Sequence, residues 1–172
     1  LEIPKSGYLK INNQVMVDKD HFIAPEKRGV GMVFQDYSLF PHMTVEKNVE
    51  FGLKKMNRNE KKKRVDEVLA LVDMEEYKKS YPYELSGGQQ QRIAIARAIA
   101  PRPSILLLDE PFSNLDKELQ ESIREEIKKI IKQCEITCIF VTHDKEDCRA
   151  MADRIVILNK GKIQEIVSND VL

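Results

Sequence analysis

At 172 residues the chain has the length of one ordinary domain, and 42% hydrophobic with 33% charged residues is the balance of a folded, helix-rich protein rather than a disordered one. Lysine plus arginine and aspartate plus glutamate number 28 each, so the neutral total argues against a surface built chiefly for nucleic acid. No apolar run is long enough to cross a bilayer, and the three cysteines, Cys134, Cys138 and Cys148, form neither a C-x-x-C pair nor a metal pattern with the histidines. Together with the lack of a signal-like opening segment, this leads us to expect reduced thiols in a protein of the cytosol or the membrane periphery.

In chain order, Tyr8 to Ile11 and Gln14 to Val17 read as a small antiparallel hairpin turned by Asn12-Asn13. Asp18 to Arg28 is polar and marked by proline, hence a connection. Val30-Gly31-Met32-Val33-Phe34 is a short apolar run of the kind buried on both faces of a sheet, and it ends in Gln35. From Asp36 to Pro82 the pattern turns helical. Thr44 is placed to cap a helix with Val45, Val49 and Leu53 on one face, and Asn57 with Glu60 has capping-box spacing before the stripe Val65, Val68, Leu69, Val72. The Lys61 to Arg64 run reads as a solvated helix face.

Ser86 and Gln89 have capping-box spacing as well, which starts a helix at Leu85-Ser86-Gly87-Gly88-Gln89. The first-turn N–H groups of such a helix carry partial positive charge, and Gly87 and Gly88 allow close approach to the main chain. The end therefore suits a phosphate, although an ordinary glycine turn fits these five residues equally well. The helix continues to Ala100 with small residues, which permit close packing on a sheet, until Pro101 and Pro103 stop it. Ile105 to Leu108 is a second buried-strand run, ending in Asp109-Glu110-Pro111. Adjacent carboxylates there are costly unless a cation or a reaction uses them. Asp116 is placed to cap a helix with Leu119, Ile123, Ile127, Ile130 and Ile131 inward. Thr137 to Val141 is the third run, ending in Thr142-His143-Asp144. Three buried strands thus deliver Gln35, Asp109 with Glu110, and His143 at the edge where open parallel sheets bind ligands. A short helix to Ala152 and a hairpin from Arg154 to Val167 complete the scaffold.

These residues resemble the ATPase subunit of an ABC transporter over nearly the whole chain. Leu85 to Gln89 is similar to that family's signature motif, Ile105 to Pro111 to its Walker B strand, Ser113 to Asp116 to its D-loop, and Val141 to Asp144 to its switch-histidine loop, with Gln35 at the Q-loop position. The wording from Val33 to Val45 looks most like importers for ferric iron, polyamines, sulfate or sugars. The resemblance implies an α/β fold of the P-loop NTPase type: a parallel sheet in a three-layer core, a small antiparallel part, and a helical subdomain at 36–85 inserted into a RecA-like core of 1–35 and 86–172. It implies ATP and magnesium as cofactors, with Asp109 and Gln35 toward the metal, Glu110 as general base, and His143 and Gln35 on the γ-phosphate and the attacking water. Ser86, Gly87, Gly88, Gln89 and Asp116 would serve ATP held by a second subunit in a head-to-tail homodimer. Transmembrane permease subunits would be the other partners, with no direct role for nucleic acid, and the protein would sit peripherally on the cytoplasmic face of the cell membrane. Tyr37, Phe40 and Thr44 suit either a groove for a permease coupling helix or subdomain core.

The family's phosphate-binding pattern, G-x-x-x-x-G-K-S/T, does not occur in the 172 residues. Leu1 to Gly7 resembles the segment that follows it, so the expectation is a chain lacking the N-terminal strand and helix of the domain, with a gap and uncovered apolar surface in the sheet and little activity alone. Two other readings stand beside the transport ATPase. A DNA repair or chromosome-maintenance ATPase shares the signature but carries a long coiled coil where this chain has a short insert, and a non-catalytic module would complete a partner's ATP site.

Overall fold

The computed structural model describes residues 3–168. Strands β1 (Leu9–Ile11) and β2 (Gln14–Val17) form an antiparallel hairpin in which Ile11 faces Gln14. Its two-residue turn is made by Asn12 and Asn13, both left-handed at φ 47° and 65°, a conformation asparagine tolerates well. The central sheet is parallel, in the order β3 (Val30–Val33), β4 (Ile105–Asp109), β5 (Thr137–Val141). A second hairpin, β6 (Arg154–Asn159) and β7 (Lys162–Ser168), turns through Lys160 and Gly161. Among the described residues five α-helices accompany the strands: α1 (Val45–Glu50), α2 (Arg58–Leu71), α3 (Gly87–Ile99), α4 (Lys117–Gln133) and α5 (Lys145–Met151).

Helix α3 is the centre of the core. Ile93, Ala94, Ile95 and Ala96 are all fully buried, and each isoleucine so placed contributes roughly 1.5–3 kcal/mol of hydrophobic stabilisation. The small residues expected to bring this helix close to the sheet do so: a Cβ added at Gly31 on β3 would lie 2.7 Å from the Ala98 carbonyl oxygen. Val45, Val49, Val65, Val68 and Leu69 of α1 and α2 join Val33, Leu106 and Leu108 of the sheet in one continuous cluster through α3. Asn57 and Glu60 form the expected capping box at α2, and Ser86 and Gln89 the expected one at α3.

Several details depart from the sequence reading. Helix α1 ends at Glu50, before Leu53: the chain tightens there, with the Leu53 N–H donating to the Glu50 carbonyl at 2.9 Å, and Gly52 favours helix poorly. Leu53 is buried nonetheless. Leu119 is partly exposed rather than inward, since it lies in the first turn of α4 and covers only the edge of Gly88. Asp116 occupies the cap position of α4 without a side-chain capping bond. Among the described residues β5 pairs only with β4, and Ile139 and Val141 are 53% and 60% exposed, with Leu158 of β6 and Ile163 of β7 at 68% and 62%. The sequence led us to expect a gap within the parallel sheet; the described strands instead pair without interruption, and the exposed apolar side chains lie on β5 at its edge and on the β6–β7 hairpin.

Candidate active site

The register of the sheet places Val33 beside Leu108 and Asp109 beside Val141, so the residues that follow the three strands fall on one edge. Gln35 is exposed just past β3, Asp109 is half-buried at the end of β4, and His143 stands in solvent two residues beyond β5. Glu110 follows Asp109 with φ at 43°, a left-handed backbone that costs a side-chain-bearing residue of order 1 kcal/mol or more. Its N–H donates to the Val141 carbonyl at 2.9 Å, which ties the bend to β5. The carboxylate then lies against the histidine, with His143 Nδ1 at 3.2 Å from Glu110 Oε1.

The loop after Glu110 is held by its own carbonyl, which accepts from Ser113 N–H at 3.2 Å and from Ser113 Oγ at 2.9 Å. Asn114 Nδ2 reaches across to the Gln35 carbonyl at 2.7 Å and links the two loops. Asp116 is exposed at the end of this loop. Among the described residues no group of three or more acidic, histidine or cysteine side chains could hold a metal ion unaided.

At the start of α3, Gln89 N–H donates to Ser86 Oγ at 3.4 Å and Ser86 N–H to Gln89 Oε1 at 2.9 Å. The amides of Gly87 and Gly88 belong to the first turn, where no carbonyl within the helix can satisfy them. Gly88 has a packing reason as well, because an added Cβ would lie 3.1 Å from Ile123 Cδ1 of α4. Among the described residues no hydrogen bond or ion pair joins Ser86 to Gln89 with Gln35, Asp109, Glu110 or His143. The structure thus gathers four of the expected residues at the sheet edge and leaves the helix end as a separate feature.

The ABC transporter family model matches residues 1–113. The chain belongs to the ABC transporter family. It is 51% identical to the Fe(3+) ions import ATP-binding protein FbpC of Fusobacterium nucleatum over 94% of this chain and 43% of that protein. It is 49% identical to the spermidine/putrescine import ATP-binding protein PotA of Oleidesulfovibrio alaskensis (97% and 44% covered), and 44% identical to the trehalose/maltose import ATP-binding protein MalK of Thermococcus litoralis (99% and 47%). The chain therefore spans less than half the length of these curated relatives. A solved structure of the ATP-binding cassette MJ0796, dimeric and bound to ADP and Pi in a post-hydrolysis state, superposes with a TM-score of 0.78 at 34% identity over 98% of this chain and 75% of that one. The fold is that of an ABC ATPase cassette.

Other polar residues of this ABC cassette were given no role in the sequence reading. Arg124 on α4 donates through Nε to Asp147 Oδ1 at 2.7 Å, and Thr142 Oγ1 donates to Asp147 Oδ2 at 2.5 Å. The pair joins α4 to α5, and Thr142 ties the histidine loop to the same carboxylate. Arg97 on α3 donates to the Tyr37 and Ser38 carbonyls at 2.9 and 2.7 Å and lies over the Phe40 ring, and burial pushes its pKa down. Gln91 is fully buried against Pro111. The available signal was a polar side chain on an apolar helix face, weaker than a named motif. Tyr37 is 5% exposed and belongs to the core, so of the two readings of this segment the groove does not hold for that residue. Its left-handed φ of 60°, followed by 44° at Ser38, turns the ring inward.

Proposed function

We propose that this chain is the ATP-binding part of an ABC transporter in which ATP hydrolysis drives uptake of a small solute. The observation that carries the reading is the sheet edge on which Gln35, Asp109, Glu110 and His143 lie, with the Glu110 carboxylate 3.2 Å from the imidazole on a strained backbone. In this reading residues 36–85 are a helical subdomain inserted into the core of 1–35 and 86–172.

Glu110 is the general base, accepting the proton of the attacking water, and its bend keeps the carboxylate at the edge instead of in the sheet. His143 orients that water and donates to the terminal phosphate; its exposure leaves the ring free to swing between Glu110 and substrate. Asp109 and Gln35 are the residues that would hold magnesium. The donor set fits such an ion, because magnesium bound to phosphates keeps several waters and needs no all-protein cage. When bound, magnesium neutralises charge on the phosphates. Ser86, Gly87, Gly88 and Gln89 present first-turn amides to the terminal phosphate of ATP held by a second copy arranged head to tail, with Asp116 at the same face. Among the described residues Ser86 to Gln89 make no hydrogen bond or ion pair with Gln35, Asp109, Glu110 or His143, which supports this division of labour. Gln35 relays the state of the site to permease subunits at the cytoplasmic face of the membrane.

The test measures magnesium-dependent ATP hydrolysis by the gene product at its natural length. Glu110→Gln should lower kcat ~100-fold or more while ATP binding persists. Wild-type protein that binds no ATP, alone or with a permease, would overturn the reading. A second reading is a module that completes a partner's ATP site without hydrolysing ATP itself. ATP affinity of the 172-residue polypeptide, alone and mixed with an intact partner ATPase, separates the two.

A further inference from the structure

Gln91 lies two residues after the capping glutamine of α3, among isoleucines and alanines, and is completely buried. Its Nε2 donates to the Pro111 carbonyl at 2.7 Å, while its Oε1 has no partner among the described residues. A carbonyl only accepts, so the NH2 end of the amide must be the end that faces Pro111. A carboxamide buried with an unpaired oxygen is worse for folding than an apolar side chain of the same size. Packing alone would select methionine or leucine here, so the glutamine calls for another reason.

What the bond reaches supplies one. Pro111 is the residue after Glu110, and its peptide has no N–H to anchor it. From there the loop runs through Asn114 to the Gln35 carbonyl at 2.7 Å, and the segment after Gln35 returns to α3 through Arg97, which donates to Tyr37 and Ser38. The side-chain bonds close a ring: α3, the Glu110 loop, the Gln35 loop, and α3 again. Gln91 itself is completely buried within it.

We infer that Gln91 is a positioning residue, whose bond to Pro111 fixes the Glu110–Asp116 loop against α3 so that the capped start of α3 and the Glu110 carboxylate move as one body. The catalytic consequence rests on the reading of Glu110 as the base; the mechanical one does not. The test compares wild type with Gln91→Met, and with Gln91→Leu in case the first folds poorly, in the gene product at its natural length. Expected are a thermal midpoint equal to or above wild type, faster amide hydrogen exchange in 112–116, and a kcat ~10- to 100-fold lower with KM for ATP little changed. Unchanged kcat and exchange would overturn the inference, as would a lowered midpoint with wild-type kcat per folded molecule. If the wild type hydrolyses no ATP, the transport reading fails, and exchange alone decides: acceleration sustains the positioning role and its absence refutes it.

Discussion

Replacing Asp147 by alanine removes the acceptor that Arg124 and Thr142 share. The Arg124 and Asp147 side chains are only 12% and 6% exposed, so the change strands a guanidinium that water reaches poorly. Breaking a buried pair from one side destabilises by about 3–5 kcal/mol. Here Gln120 Oε1 at 3.2 Å and Asp144 Oδ2 at 3.6 Å still face the arginine and offset part of that loss. Thr142 in turn loses the partner of its hydroxyl, which adds roughly 1 kcal/mol. The net expectation is about 3 kcal/mol. In a chain of this size that is a fall of roughly 6–12 °C in Tm. Urea and thermal unfolding followed by circular dichroism measure it. The double variant Arg124→Met with Asp147→Leu should recover much of the loss, because neither charge is then left without its counterpart. An Asp147→Ala protein within about 1 kcal/mol of wild type, or a double variant no better than the single one, would refute the reasoning.

Gly31→Ala should destabilise by about 1–3 kcal/mol, since the new Cβ meets a backbone oxygen that cannot rotate away; a urea midpoint equal to wild type would contradict it. Burial pushes the Cys138 thiol up to about 12 from 9.0, so the unfolded chain releases this proton first, and stability should decline as pH rises between those values. Cys138→Ala should lack that component of the alkaline loss in urea titrations. The 172-residue polypeptide assayed alone should hydrolyse little ATP, because it lacks the nest and lysine that grip the phosphates; robust magnesium-dependent turnover abolished by Glu110→Gln would refute this.

Much of this architecture was legible because local chemistry and global fold agree. The three apolar runs became the three parallel strands, and two capping boxes marked the starts of α2 and α3. Gln35, Asp109, Glu110 and His143 could be placed together from the position of each past a strand end. What stayed hidden depends on approach in three dimensions. Nothing in the spacing of Arg124 and Asp147, or of Gln91 and Pro111, says that they touch. Tyr37 could be read as groove or core because an aromatic after a strand serves either, and only its burial in the folded chain, on a left-handed backbone, decided the matter. Likewise Gly88 looked reserved for a ligand, whereas Ile123 of α4 also crowds the place of a Cβ there, with its Cδ1 at 3.1 Å.

The bend at Glu110 sets stability and chemistry against each other. A left-handed backbone costs a residue with a Cβ about 1–3 kcal/mol, more than the ~0.5–1 kcal/mol of extra chain entropy that glycine surrenders on folding. The contact with the solvent-exposed His143 ring returns little of the difference. Glu110→Gly should therefore melt higher than wild type while losing the proposed base. A library of variants ranked by melting temperature alone would enrich for molecules that fold better and turn over nothing, so selection on this protein has to read out catalysis at the same time.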